Sequence, residues 1–82
     1  MHHTQVLREI MIVNNVSTVE LGKRLGITHV GVLNRMKSKT GGLRTTLQMV
    51  EAMGYEIVIR PRTNGDLPEG EYALRPTDYS FV

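Results

Sequence analysis

A chain of 82 residues makes one domain, near the smallest size at which an apolar core holds a fold without metal or disulfide. It has no cysteine, which excludes disulfide frameworks, thiolate zinc sites and cysteine nucleophiles and suits a cytoplasmic setting. The net charge of +2 is unevenly laid out: residues 21–50 carry Lys23, Arg24, Arg35, Lys37, Lys39 and Arg44 with no acid, a net of +6, between segments of net −1 and −3. Such a basic block favours a polyanionic partner, because cations set against phosphates release condensed counterions.

His2 and His3 begin the chain as adjacent histidines, read as a solvated end or a cloning remnant rather than a metal site. From Thr4 to Asn14, the residues Val6, Leu7, Ile10, Met11 and Val13 recur at spacings of three and four, which predicts a helix with one buried stripe. Ser17-Thr18-Val19-Glu20 has the form of a capping box, so a second helix is expected to begin at Thr18. It carries Leu21 and Leu25 one turn apart and stops at Gly26, a residue suited to a left-handed helix end. Ile27 follows as an apolar plug, and Thr28 caps a third helix running to about Ser38. After the loop Lys39-Thr40-Gly41-Gly42, a fourth helix is expected from Leu43 to Met53, with Leu43, Leu47, Val50 and Met53 buried and Gly54 closing it.

From Tyr55 the apolar period changes to two, which predicts a strand over residues 55–60 that Pro61 limits by removing a backbone donor. Turn-forming clusters at 63–66 and 68–70 precede a short second strand over 71–75, and the last six residues are expected to lie loosely. The expected fold class is therefore mainly α with a small C-terminal β element. Residues 1–54 form the helical part, and residues 55–82 a strand or hairpin and tail within the same domain. No apolar run approaches the roughly 20 residues that span a bilayer, so no membrane segment is expected.

The stretch Thr18 to Lys37, TVELGKRLGITHVGVLNRMK, resembles the helix-turn-helix of the phage Cro and repressor family, the XRE type. Gly22 stands where the family has a small residue that lets two helices cross closely, Gly26 at the turn glycine, and Leu21, Leu25, Ile27, Val32 and Met36 at the buried positions. The stretch LRTTLQMVEAMGYEIVI is also similar to the family's last helix and its exit into a strand, so the resemblance covers residues 4–60. It implies a four-helix, lambda-repressor-like domain. Two positions depart from the pattern: Thr18 replaces a glutamine that helps grip a phosphate, and Gly31 replaces alanine or threonine at about 1 kcal/mol of helix propensity.

In this motif the third helix lies in the major groove with its N-terminal residues at base edges. The position-by-position match implies that Thr28, His29, Val30 and Asn34 read bases, with Leu33 at the margin. Asparagine can pair with adenine N6 and N7, valine can press on a thymine methyl, and histidine can donate to guanine. Phosphate contacts fall to Thr18, Arg35, Lys37, Lys39, Arg44 and Thr45. All four aromatics follow residue 54, which argues against base stacking in the basic block. An exposed strand edge gains from pairing with a second copy, so Tyr55, Ile57, Ile59 and Tyr72 are expected at a homodimer interface.

The function so implied is sequence-specific binding of double-stranded DNA by a dimeric, repressor-like transcriptional regulator, with no cofactor or metal. No enzyme is expected, since His29 is the one internal histidine and the acids are scattered. The rival reading keeps the fold but makes the chain a protein-binding adaptor, an antitoxin or phage inhibitor, whose tail over residues 62–82 seizes a partner.

Overall fold

The computed structural model describes residues 1–37 and 42–79. Four helices, α1 (His3–Val13), α2 (Thr18–Leu25), α3 (His29–Lys37) and α4 (Leu43–Ala52), enclose one core, and a one-turn 3-10 helix follows at Pro76–Tyr79. The predicted helices are all present, with ends within a residue of their expected positions. None of the helices among the described residues is long and apolar enough to cross a membrane.

The helix order follows from local chemistry. Ser17 Oγ accepts the Glu20 N–H at 3.1 Å and starts α2. The reciprocal half of the expected capping box is not made, because the Glu20 carboxylate instead takes Arg24 Nε at 3.2 Å, one turn along the same helix. Gly26 ends α2 in the left-handed conformation at φ 72°, and the Ile27 N–H returns to the Gly22 carbonyl at 2.9 Å.

Leu7, Ile10 and Met11 of α1, Val16, Leu21 of α2, Val32 and Met36 of α3, and Met49, Val50 and Met53 make the core. Among the described residues it contains no buried aromatic ring, and four of the chain's five methionines fill it, flexible side chains suited to the irregular space between short helices. Helix α4 departs from the expected stripe. Leu43 is 67% exposed and Leu47 38%, while Met49 is fully buried. Two apolar stripes overlap on this helix, and its packing against α2 selects the one through Met49, Val50 and Met53.

The C-terminal segment also differs. Among the described residues no strand forms over 55–60 or 71–75; the two segments are tied by an exposed ion pair, Arg60 to Glu71 at 2.8 Å. A single chain supplies too little apolar cover on one side to hold an isolated two-stranded ribbon.

Residues 1–3 are joined to residues 73–79, against the expectation of a solvated start and of a loose tail; residues 80–82 of that tail lie outside the described residues. His2 Nδ1 accepts the Thr4 N–H at 3.2 Å while Gln5 Oε1 accepts the His2 N–H at 3.1 Å, a capping box built on histidine. The Met1 ammonium donates to the Ala73 carbonyl at 2.7 Å and to Asp78 at 2.6 Å. Tyr79 Oη accepts the His3 N–H at 2.8 Å and lies 2.9 Å from His3 Nδ1. Its own proton can reach Nδ1 only when that nitrogen is bare, which favours neutral His3.

Burial, and then the charge on His2, hold the His3 pKa below its ordinary value of 6.5. Below pH 6.5 the unfolded chain therefore binds a proton before the folded one does, and stability present above that pH is lost as pH falls through the lowered value. Thermal unfolding is expected to move to lower temperature between about pH 7 and pH 5, and His3→Gln to flatten that slope. An unchanged slope in the variant would remove His3 as its cause.

Candidate nucleic-acid interface

Helices α2 and α3 are joined by the three residues Gly26, Ile27 and Thr28, and Gly22 sets how closely they meet. A Cβ on Gly22 would lie 2.7 Å from the Ile27 carbonyl oxygen, 3.3 Å from the Thr28 carbonyl carbon and 3.4 Å from the His29 nitrogen. The start of α3 thus rests directly on the backbone of α2. Thr28 Oγ1 accepts the Gly31 N–H at 3.1 Å and caps α3, which leaves its hydroxyl proton free to point outward.

Val32 and Met36, one turn apart, bury one side of α3. The opposite arc carries Val30, Asn34 and Lys37, with Leu33 along its border, all exposed; His29 is exposed at the N-terminal end of α3, on the side of Val32 and Met36. Val30 is 51% exposed, an apolar side chain on the same arc as Asn34 and Lys37. At the far end of α3, Thr4 Oγ1 donates to the Met36 carbonyl at 2.7 Å, so α1 holds the C-terminal turn of α3 in place.

The expected phosphate-binding residues fall into three groups. Lys37 and Arg44 are exposed and free of ion pairs among the described residues. Thr18 and Thr45 are half-buried in the first turns of α2 and α4; Gly42 gives α4 no side-chain cap, so the leading N–H groups there are open to solvent or an anion. Arg35 is half-buried and lines a groove of 530 Å³ with Arg24, Gln48 and Glu51, on the side of α3 turned to α2 and α4. It leaves the exposed arc. Lys39 lies outside the described residues.

Two contacts had no signal in the sequence. Arg24, one of the cations of the basic block, donates to the Ala52 carbonyl at 3.1 Å and braces α2 against the end of α4. Of the four residues expected at a dimer interface, Tyr55 and Tyr72 are half-buried against the chain's own core, and Tyr55 Oη accepts from Asn14 Nδ2 at 2.9 Å. Burial, with Glu9 and Tyr55 nearby, pushes the Tyr72 phenol above its ordinary range. Ile57 and Ile59 remain exposed.

No protein-family model matches the chain, and neither a curated protein nor a solved structure does.

Proposed function

We propose that this protein is a repressor-like regulator that binds double-stranded DNA in a sequence-specific manner, as a homodimer on a palindromic site, with α3 in the major groove of each half-site. The observation that carries the reading is the outward arc of α3. It sets Val30 and Asn34 beside Lys37 on a helix whose opposite side is locked to the core, as a groove-reading helix requires. The lambda-repressor-like arrangement and the small C-terminal β element belong to the same reading: residues 55–60 pair when two copies meet. The adaptor reading has less support, because residues 73–79 are clasped to Met1 and His3 and so are engaged within the chain.

Selection of bound duplexes from a random pool tests the proposal, and a palindromic consensus is the expected result. Asn34→Ala is then expected to cost about 1–3 kcal/mol at one base position and relax preference there. Lys37→Ala should weaken every duplex alike and lower the salt slope by about 0.9. Failure to recover any consensus, with binding indifferent to both substitutions, would refute the reading.

A further inference from the structure

The two ends of α3 are held by different means. Its N-terminal end rests on α2 at Gly22 and carries its own cap in Thr28, both contacts built into the turn. Among the described residues, its C-terminal end is tied by another helix. The Met36 carbonyl lies in the last turn of α3, where helical carbonyls lack the amide four residues on, and it accepts the Thr4 hydroxyl at 2.7 Å. A threonine inside a helix commonly turns its hydroxyl back to a carbonyl of the preceding turn, but Thr4 stands in the first turn of α1 with no helical carbonyl behind it. Its hydroxyl is free to cross to α3.

Thr4 is in turn set by residues 76–79. Tyr79 Oη accepts the His3 N–H, the first amide of α1, and the tyrosine ring packs against His2 and His3 with centroids 4.5 and 5.6 Å away. Asp78 fixes the turn that presents this ring: its Oδ2 accepts the Arg75 N–H at 2.7 Å, and its own N–H returns to the Arg75 carbonyl at 3.0 Å. The Thr4 N–H goes to His2 Nδ1. Two first-turn amides that have no helical partner, those of His3 and Thr4, are thus satisfied by the tyrosine and by the histidine packed against it. Without the tyrosine hydroxyl the start of α1 loosens, and Thr4 with it.

We propose that residues 76–79 position the C-terminal turn of α3 through Thr4, by a relay that runs from Tyr79 to His3 and Thr4 and from Thr4 to Met36. The relay rests on the function proposed above only for its consequence: Asn34 and Lys37, a base-reading and a phosphate-binding residue in that reading, both stand in this turn. Thr4 acts through the Met36 carbonyl and is a positioning residue. Drawing residues 76–79 away from α1 therefore slackens the turn and weakens duplex binding without covering α3.

Thr4→Val keeps the branched shape and removes the donor, whereas Thr4→Ser keeps the donor. Backbone order parameters from nitrogen relaxation read the relay without DNA and are not moved by a mere loss of global stability. In Thr4→Val the values at Arg35, Met36 and Lys37 are expected to fall from about 0.85 toward about 0.6, with Leu21 and Met49 unchanged, and Thr4→Ser should restore them. Tyr79→Phe should lower the same three, and adding it to Thr4→Val should lower them no further, because both cut one relay. Unchanged order in Thr4→Val, a fall shared by Leu21 and Met49, or full additivity of the two variants would each overturn the relay. Duplex affinity is measured separately at fixed salt. Thr4→Val is expected to bind about two- to tenfold more weakly than Thr4→Ser, the range a single hydrogen bond supplies, and to lose less in a Lys37→Ala background. Order parameters that respond as stated in a chain that binds no duplex would strike the DNA reading and leave the relay standing.

Discussion

Gly22→Val is expected to destabilise the fold by about 3 kcal/mol, lowering the thermal midpoint by on the order of 10–20 °C. The reason is the position of the Ile27 carbonyl, 2.7 Å from where a Cβ would stand. That oxygen belongs to the backbone of the turn, so it cannot swing aside as the end of a flexible side chain could. Either α3 lifts from α2 or the turn distorts, and in both cases the outward arc of α3 is displaced from its place on the core. Gly31 supplies the control, since it lies in the next helix and its Cβ would meet only the side chains of Thr28 at 3.4 Å and Ile27 at 3.5 Å. Gly31→Ala should therefore gain up to about 1 kcal/mol from helix propensity. Thermal unfolding followed by circular dichroism checks both signs. A Gly22→Val protein within about 1 kcal/mol of the parent would show that the helices are not held by backbone contact.

Leu21→Ala is expected to cost about 2–5 kcal/mol, a large share of the stability of so small a domain. Leu21 is fully buried and contributes α2's largest side chain to the common core. Its removal leaves a hole that neighbouring helices, pinned by Gly22 on one side and Arg24 on the other, cannot close. Leu47→Ala is the comparison. Leu47 is 38% exposed, so the loss there should stay below about 1 kcal/mol. Urea titration of both variants reads the difference as a shift of midpoint at constant slope. Equal losses would mean that α4 packs through Leu43 and Leu47, contrary to the observed stripe.

Much of the candidate site could be read along the chain because its determinants are local. The start of α2 at Ser17, its end at Gly26 and the cap of α3 at Thr28 each depend on a side chain or a backbone conformation within four residues. The split of α3 into a buried side, Val32 and Met36, and an outer arc with Val30 and Asn34 follows from the helical repeat. Arg35 was not legible in the same way, since a cation on the flank of a helix goes to whichever neighbour offers a groove. Here that neighbour is the junction of α2 and α4.

The clasp between the ends had no local signal at all. His3 and Tyr79 are 76 residues apart, and nothing in the character of either residue announces the other. The C-terminal period of two was visible, but a period gives the faces of a strand and not the identity of its partner.

The sequence by itself determined the four helices, the turn between α2 and α3, and which side chains of α3 turn outward, because backbone capping and helical periodicity act over a few residues. Only the tertiary structure decided which of two stripes α4 buries, where Arg24 and Arg35 are directed, and that residues 1–3 meet residues 73–79. Those outcomes depend on which surfaces are brought together across long stretches of chain, and burial rewards whichever arrangement covers the most apolar area at once.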